Sequence, residues 1–296
     1  TATGDWLTLL AAGLFDLDGQ VAFIPGGYGG IGAAIAWGLA LHGATVVVAG
    51  RSREKADALA LQLREAGRRA AGIGFDAHSV ASIRAAMDAV ARDHGRLDIL
   101  VNCIGLNREQ LLLDVTEEAF DEVFALNLKA AMFLAQAAAR HQIAGGRGGR
   151  QVHLGSVRSL FALRGRGYSA YASTKGGLVL LVKQHAMELA PHAITVNGIA
   201  PTFVRTEMIA HHLARPDFLE KTLPRIPLGR LAEPRDIVGA ALLFCAPAAM
   251  DGRWRIAFAA VLVPSVVVAL LGAYNPWPPV FEQESSRHPV AAQVQN

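Results

Sequence analysis

The chain has 296 residues, of which 52% are apolar and 18% charged, and its 28 basic and 25 acidic residues leave a formal net charge of +3. This length suits one large α/β domain or two small ones, and the apolar content excludes disorder over most of the chain. So small a basic excess gives no electrostatic footprint for nucleic acid. Cys103 and Cys245 are the only cysteines, which excludes a disulfide framework and a cysteine zinc site and favours a reducing, cytoplasmic location.

Short β-branched runs alternate with longer amphipathic stretches between residue 20 and about residue 249. The pattern predicts strands at 21–24, 45–49, 69–75, 97–102, 151–154 and 194–199, and helices at 31–41, 54–66, 80–94, 120–142 and 171–190. Strands separated by helices form right-handed βαβ units. The expected fold class is therefore α/β, a doubly wound parallel sheet flanked by helices on both faces, in one domain over residues 1–249. The Gly- and Arg-rich run at 145–150 predicts a turn rather than an RNA-binding tract.

A glycine cluster directly follows the first predicted strand. Gly26, Gly30 and Gly32 have the spacing Gly-x-x-x-Gly-x-Gly and lead into the first helix. Glycines let the backbone turn tightly and approach a pyrophosphate, while the helix N-terminus supplies N–H donors and positive potential. The position of the cluster favours a dinucleotide cofactor over the alternative, a tight turn without a ligand.

The end of the second strand indicates which dinucleotide binds. A carboxylate at this point would accept hydrogen bonds from the ribose hydroxyls of NAD and would repel a 2′-phosphate. The chain instead has Gly50, followed by Arg51 and Arg53, and guanidinium groups pair well with phosphate. The sequence predicts NADP(H) as the preferred cofactor, with NAD(H) still possible. A pair of solvated arginines at a helix start is the alternative.

Three side chains form a candidate catalytic group. Tyr171 and Lys175 lie four residues apart on one helix face, and Ser156 ends the fifth strand. A phenol titrates near pH 10, and a neighbouring ammonium favours the phenolate, so we expect the pKa of Tyr171 to be lowered. Ser156 is placed to hydrogen-bond a substrate oxygen. The Tyr–Lys spacing is common by chance and gains weight only beside the glycine cluster and the strand-end serine.

With these features in place, residues 14–248 resemble the short-chain dehydrogenase/reductase family. The matching segments occur in family order: Phe15-Asp-Leu-Asp-Gly-Gln-Val-Ala22, Gly26-Gly-Tyr-Gly-Gly-Ile-Gly32, Asp76, Asn102-Cys-Ile-Gly105, Asn127-Leu-Lys129, Gly155-Ser156, Tyr171-x-x-x-Lys175, Val196-Asn-Gly-Ile-Ala-Pro201 and Gly229-Arg-Leu-Ala-Glu-Pro234. The resemblance implies a Rossmann-type fold, a small-molecule substrate and a homodimer or homotetramer.

The resemblance also implies a role for each matching residue. Tyr171 would be the general acid, Lys175 would lower its pKa and bind the nicotinamide ribose, Ser156 would orient the carbonyl, and Asn127 would hold the helix and a relay water. The implied cofactor-binding residues are Gly26, Tyr28, Gly30, Ile31, Gly32, Arg51, Asp76, Asn102, Gly105, Tyr171, Lys175, Pro201, Val204 and Thr206. The chain departs from the family pattern at Pro25, where a threonine is usual, and at Cys103 and Thr202.

Longer phrases resemble gluconate 5-dehydrogenase-like enzymes and related sugar-acid or polyol dehydrogenases: Gly105-Leu-Asn-Arg108, Gly155-Ser-Val-Arg158, Ala200-Pro-Thr-Phe-Val-Arg-Thr206 and Arg225-Ile-Pro-Leu-Gly229. We expect Arg108, Arg158 and Arg205 to converge above the carboxyl ends of the sheet, where a guanidinium suits a sugar-acid carboxylate. Ser156, Arg158 and Tyr171 are the candidate substrate-binding residues. Glu207 and His211 share a helix face, but two ligands make no site, so no metal is expected.

The tail at 250–296 lies outside the resemblance. Residues 256–273 are uncharged and nearly long enough for a membrane span, with Arg253 and Arg255 before them and Pro264 and Ser265 in the middle. A shifted reading frame, a membrane anchor and an improvised edge strand remain open, and we favour a non-membrane tail. The departure puts the oligomeric state in doubt.

The expected function is a hydride transfer between nicotinamide and a secondary alcohol or ketone, most simply of a sugar acid or polyol. Reduction of a 3-oxoacyl thioester is the enzymatic alternative. A catalytically impaired chain that keeps this fold as a binding module is an alternative of a different class, and the motif residues do not separate the two.

Overall fold

The computed structural model describes residue 13 and residues 15–246, and its centre is a six-stranded parallel sheet. The strands, which occupy the order β3-β2-β1-β4-β5-β6, are β1 (Val21–Pro25), β2 (Thr45–Gly50), β3 (Ala70–Gly74), β4 (Ile99–Asn102), β5 (Gly149–Leu154) and β6 (Ile194–Ile199). All six predicted strands are present, with ends shifted by at most two residues. The predicted doubly wound, Rossmann-type sheet is confirmed.

Helices pack on both faces of this sheet. They are α1 (Gly30–Leu41), α2 (Arg53–Glu65), α3 (Val80–His94), α4 (Glu117–Phe124), α5 (Ala130–Gly145), α6 (Ser169–Leu189), α7 (Ala210–Leu213), α8 (Pro216–Thr222) and α9 (Val238–Cys245). The prediction of one helix at 120–142 was wrong in detail, because a π-helical turn at Ala125–Lys129 separates α4 from α5. The turn predicted at 145–150 is present, with Gly146 and Gly148 both at positive φ.

The strands are apolar on both faces because each face is covered by helices. In β1, Ala22 and Ile24 face the layer formed by α1, α2 and α9, while Val21 and Phe23 face the layer formed by α3 and α5. All four side chains are at most 5% exposed. Alternate side chains of this one short strand thus pack into the apolar layers on both faces of the sheet.

The strand order reverses between β1 and β4, and this reversal positions the site. β1 pairs with β2 on one side and with β4 on the other, with Ala22 opposite Ile99 and Phe23 opposite Leu100. In open parallel sheets, ligands bind outside the carboxyl ends of the strands at such a switch point. The loops after β1, β4, β5 and β6 all reach this edge.

A small apolar cluster lies beyond β6 and forms one wall above the sheet edge. It contains Ile209, Phe218, Ile226 and Leu231. A backbone bridge between Val204 and Ala232 ties this segment down. The loop after β6 is thereby held over the carboxyl ends of the strands.

The predicted domain boundary at residue 249, the tail at 250–296 and the candidate membrane segment at 256–273 lie outside the described residues. Among the residues that the structure describes, no helix is both long and apolar enough to cross a membrane.

Candidate active site

The turn after β1 forms a backbone cradle at the start of α1. Gly26 has a φ of +75°, and a Cβ there would lie 2.8 Å from the carbonyl carbon of Cys103, so this position requires glycine. Gly32 packs against the carbonyl oxygen of Gly26, and Gly30 lies against the side chain of Thr206. Gly29 precedes α1 without a side-chain capping bond. The first-turn N–H groups therefore suit a phosphate.

Pro25 does not disturb this cradle, although it lacks an N–H donor. The carbonyl of Pro25 accepts a hydrogen bond of 2.9 Å from the backbone N–H of Cys103, and the N–H groups of Gly26 and Gly27 both donate to the carbonyl of Ala49, at 2.8 and 3.2 Å. The neighbouring strands thus hold the turn on both sides. This departure from the family pattern leaves the turn geometry intact.

The end of β2 lies beside the glycine turn, as the sequence analysis required. Arg51 follows the strand and is exposed, and the backbone carbonyl of Gly50 accepts a bond of 2.9 Å from Phe75 N–H. Asp76 follows β3 and is exposed, and its Oδ1 accepts a bond of 2.9 Å from the N–H of His78. Arg51 and Asp76 therefore stand at the β2–β3 side of the switch point, away from the catalytic candidates.

Ser156, Tyr171 and Lys175 come together in one cleft of about 200 Å³. The hydroxyl of Ser156 accepts a bond of 3.1 Å from the backbone N–H of Arg158 and lines the cleft together with the phenol of Tyr171. Nζ of Lys175 donates to the carbonyl of Leu154 at 2.7 Å and lies 5.8 Å from the centre of the Tyr171 ring. The three side chains thus line the same cleft.

Burial controls the ionisation of both groups. It raises the pKa of the Tyr171 phenol above its usual value, against the opposing effects of the Ser156 hydrogen bond and the Arg158 charge. Burial also lowers the pKa of Lys175 to about 8. The expectation of a lowered Tyr171 pKa was wrong, because desolvation of the phenolate exceeds the effect of the nearby charges. At neutral pH Tyr171 is therefore a protonated phenol beside a mostly charged amine.

Asn127 is a buried residue whose hydrogen bonds support the back of the cleft. It lies in the π-helical turn, where it is only 1% exposed. Its side chain accepts a bond of 2.8 Å from the N–H of Leu106 and donates bonds of 2.8 Å to the carbonyl of Leu106 and 3.0 Å to the hydroxyl of Thr174. Asn127 thus joins the loop after β4 to the helix segment that carries Lys175.

A second buried polar pair lies beneath the cleft. The Oδ1 of Asn102 accepts a bond of 3.1 Å from the N–H of Ile104, and its Nδ2 lies 3.3 Å from Nδ1 of His153. His153 is fully buried, and desolvation, together with the charges of His185 and Lys175, lowers its pKa to about 3. Sequence analysis did not single out His153, since a histidine inside a strand carries no motif.

We expect His153 to make the fold acid-labile. Its folded pKa of about 3 lies below the usual histidine pKa of 6.5, so the unfolded chain binds a proton first. The contribution of His153 to the free energy of unfolding is then fully present above pH 6.5. It falls as the pH drops towards 3, by roughly 1.4 kcal/mol per pH unit. Urea unfolding at pH 7 and pH 5 measures this slope. His153→Asn should reduce it, the same change at exposed His192 should not, and equal slopes for both variants would contradict the assignment.

Of the three arginines expected to converge, only Arg158 lines the cleft. Its side chain is 5% exposed, and Nη1 donates bonds of 3.0 Å to the carbonyls of Phe161 and Ala162. Arg108 instead pairs with Glu122 at 2.8 Å, and Arg205 pairs with Glu233 at 3.1 Å, both on the exposed surface. The expected convergence was therefore wrong for Arg108 and Arg205.

Sequence analysis missed a polar group on the opposite wall. Nε of Arg166 lies 2.8 Å from Oε1 of Glu109, and Nη2 lies 2.7 Å from Nε2 of buried His212. The phenol of Tyr168 lies 3.3 Å from the same Nη2. These residues come from two separate loops and from α7, so no regular spacing in the sequence indicates their contact.

The same wall contains the one metal-ligand grouping found among the described residues. Ligand atoms of Glu109, His211 and His212 lie within 4.8 Å of one another, whereas the sequence had set His211 beside Glu207. The Arg166 guanidinium already contacts Glu109 and His212. A metal cation would compete with Arg166 for these two groups.

The cleft brings together nine of the predicted site residues. Those that line it are Ile31, Gly105, Ser156, Arg158, Tyr171, Lys175, Pro201, Val204 and Thr206. The glycine turn, Arg51 and Asp76 lie towards the β2–β3 side. The arrangement therefore suits an elongated ligand that crosses the switch point and ends beside Tyr171.

Comparison with known proteins agrees with this geometry. A family model described as "Enoyl-(Acyl carrier protein) reductase" matches residues 27–251. Gluconate 5-dehydrogenase of Gluconobacter oxydans is 35% identical over 229 residues, which are 77% of this chain and 88% of that protein. D-threitol dehydrogenase of Mycolicibacterium smegmatis is 39% identical, covering 79% and 89%. Matches also include 3-oxoacyl-[acyl-carrier-protein] reductases.

A solved structure shows the same likeness in three dimensions. The gluconate 5-dehydrogenase of Burkholderia cenocepacia, described as a complex with NADP and tartrate, has a TM-score of 0.77 and 35% identity, covering 81% of this chain and 93% of that one. The family model spans well over half of the chain, and both relatives exceed 30% identity. The chain therefore belongs to the short-chain dehydrogenase/reductase family, and the two dehydrogenase relatives named above are oxidoreductases acting on CH–OH groups.

Proposed function

We propose that the protein is an NADP(H)-dependent oxidoreductase that interconverts a ketone and a secondary alcohol of a sugar acid or polyol. One observation carries the proposal: Ser156, Tyr171 and Lys175 line a single cleft at the switch point, next to a glycine cradle that fits a pyrophosphate. When bound, the cofactor supplies or takes up the hydride. The protein residues must then supply the proton and hold the carbonyl.

Tyr171 is the proposed general acid for ketone reduction. Its raised pKa keeps the phenol protonated, and the hydrogen bond from Ser156 stabilises the phenolate that forms as the proton leaves. Ser156 also lies where it can hydrogen-bond the substrate oxygen. In alcohol oxidation the same groups act in reverse, with the Tyr171 phenolate accepting the hydroxyl proton.

Lys175 and Asn127 are proposed to hold this group in place. Lys175 has a pKa of about 8, so its side chain is mostly protonated and charged at pH 7. That charge favours the transient phenolate. Asn127 fixes Thr174, the neighbour of Lys175, to the loop after β4. The two residues thereby set the position of the proton donor relative to the cofactor cleft.

NADP(H) is the proposed cofactor, with NAD(H) as the weaker one. The support is the absence of a carboxylate at Gly50, the exposed cation at Arg51 and the NADP named with the Burkholderia cenocepacia structure. We expect Arg51→Asp to lower NADPH affinity by about ten- to hundredfold, since a charged hydrogen bond is lost and a repulsive charge added. Fluorescence titration with NADPH and NADH measures the ratio, and an unchanged ratio would contradict the cofactor assignment.

Arg158 and the opposite wall support a polar substrate. Arg158 lines the same cleft as Ser156, and its guanidinium suits a carboxylate, while Glu109, Tyr168, His211 and His212 offer partners for hydroxyl groups. An acyl chain would have to lie against these polar groups without bonding them, which costs free energy. Steady-state rates with ketogluconates, ketoses and an acetoacetyl thioester test the substrate class. Faster reduction of the thioester would favour the alternative.

We further propose that the protein forms a homodimer or homotetramer. Leu180 and Met187 lie seven residues apart on one face of α6 and are 67% and 65% exposed, and Met132 of α5 is 39% exposed beside this helix. Large apolar side chains grouped on a surface are typical of an interface. A symmetric dimer would bury the same patch on both copies.

A further inference from the structure

Glu109 places a carboxylate in the cleft for which an acidic substrate is proposed. It lines the same cleft as Arg158 and Tyr171, and its side chain is 28% exposed. The cleft encloses only about 200 Å³, so a substrate carboxylate bound by Arg158 would stand close to that of Glu109. Like charges brought together outside bulk water repel each other strongly. A sugar acid can therefore bind well only if the charge of Glu109 is balanced.

Arg166 is the cation that balances this charge. Its Nε lies 2.8 Å from Oε1 of Glu109, and its side chain is only 12% exposed. Nη2 lies 2.7 Å from Nε2 of His212 and 3.3 Å from the phenolic oxygen of Tyr168. Glu109, Tyr168 and His212 line the cleft, whereas Arg166 stands behind them. Because the guanidinium is largely shielded from water, its attraction for Glu109 is less screened than that of a surface pair.

The backbone holds the two loops of this ion pair together. The N–H of Gln110 donates a bond of 3.0 Å to the carbonyl of Gly167. A Cβ at position 167 would lie 2.2 Å from the carbonyl carbon of Gln110, so this close approach requires glycine. The contact joins the neighbours of Glu109 and Arg166 in the chain. The ion pair therefore rests on a fixed meeting of the loops after β4 and β5.

His212 does not supply the balancing charge at neutral pH. Its Nε2 lies 3.6 Å from Oε2 of Glu109. Desolvation, followed by the charges of Arg166, His211 and Arg215, lowers the pKa of His212 to about 4. The imidazole is therefore neutral at pH 7, and the positive charge beside Glu109 belongs to Arg166.

We propose that Arg166 is a specificity-determining residue that neutralises Glu109 and thereby allows the cleft to accept a substrate with a carboxylate. The inference rests on the proposed sugar-acid function and adds a residue that acts through Glu109 without touching the substrate. Without Arg166, the Glu109 carboxylate repels an acid but still accepts a hydrogen bond from a hydroxyl group of a neutral ketose. The pair thus controls the choice between acidic and neutral polyhydroxy substrates.

Arg166→Met tests the charge balance. The readout is the ratio of kcat/KM for a ketogluconate to that for a neutral ketose, measured at pH 8 with EDTA present. We expect this ratio to fall by about tenfold or more, because the repulsion from Glu109 is no longer balanced. Glu109→Gln should raise the ratio, since it leaves Arg166 as an unbalanced cation. The double variant should return the ratio to near the native value, as expected for two residues that act as a pair.

Two further variants separate charge from structure. Arg166→Lys keeps the cation and should retain most of the native ratio. Arg164→Met removes an exposed cation from the same loop and should leave the ratio unchanged. If Arg166→Met does not fold, Arg166→Lys and Glu109→Gln still test the inference, because only the loss of the Glu109 charge should raise the ratio.

The pH provides a readout that a merely structural role of Arg166 would not change. Loss of the Arg166 charge raises the pKa of His212, and a protonated His212 can pair with Glu109. Arg166→Met should therefore recover part of the acid preference at pH 6 that it lacks at pH 8. Ionisation of Tyr171 and Lys175 affects both substrates and cancels in the ratio.

Three results would overturn the inference. They are equal losses of kcat/KM for both substrates with Arg166→Met, an unchanged ratio, and a double variant that stays as low as Arg166→Met alone. The native chain shows which proposal fails. If the native chain prefers the ketogluconate and Arg166→Met keeps that preference, the Arg166 inference fails alone. If the native chain shows no preference for the acid, the proposed sugar-acid function fails as well.

Discussion

Tyr171→Phe should reduce turnover by about 10²- to 10⁴-fold, because the substitution removes the proposed proton donor without changing the shape of the ring. NADPH affinity should stay at the native value, since the pyrophosphate cradle and the end of β2 are untouched. Initial rates of NADPH consumption, together with NADPH fluorescence titration, separate the two effects. Retained turnover would remove Tyr171 from its proposed role.

Tyr168 provides the matched control. Its ring lines the same cleft and lies 5.9 Å from that of Tyr171, but its hydroxyl contacts Arg166 and His212 rather than Ser156. Tyr168→Phe should therefore cost far less turnover than Tyr171→Phe. Equal losses would point to general disturbance of the cleft instead of proton transfer.

Arg158→Met should raise the KM for a keto sugar acid by about ten- to hundredfold, because a charge-assisted hydrogen bond to the carboxylate is lost. The KM for a neutral ketose should change much less. The substitution also removes a charge that lowers the pKa of Tyr171, so kcat should fall for both substrates. The ratio of kcat/KM between acid and ketose isolates the carboxylate contact.

Arg108→Met is the comparison variant, since Arg108 is exposed and pairs with Glu122 outside the cleft. It should leave the ratio between acid and ketose unchanged. A shift of that ratio with Arg108→Met, and none with Arg158→Met, would move carboxylate recognition to the loop after β4. Thermal unfolding of both proteins checks that the buried Arg158 site has not collapsed.

The fold followed closely from the sequence because its signals are local. Apolar runs bounded by turn residues predicted all six strands, and the periodicity over 80–94 predicted α3 with both ends correct. The break at Ala125–Lys129 could not be seen, since a π-helical turn adds a residue without a breaker in the sequence. Asn127 lies within this π-helical turn, where its side chain forms hydrogen bonds with Leu106 and Thr174.

The candidate site was only partly predictable because its electrostatics depend on burial. The spacing of Tyr171 and Lys175 predicted their proximity, yet desolvation reverses the expected direction of the Tyr171 pKa. Arg108 and Arg158 look equivalent as sequence, and only the surrounding acceptors separate an exposed ion pair from a cleft residue. The Arg166 group depends on contacts between two loops and α7, which are distant in the sequence and form no motif.

Transfer of deuterium from cofactor to substrate tests the central claim most directly. The full chain is incubated with NADPH deuterated on either face of the nicotinamide C4 and with a ketogluconate, and the product is analysed by mass spectrometry. The account predicts one deuterium on the new carbinol carbon, from one of the two labelled cofactors, and labelling that is about 10²- to 10⁴-fold slower with Tyr171→Phe. Saturable NADPH binding without labelled product from ketogluconates, ketoses or the thioester would contradict it and indicate a binding module on the same fold.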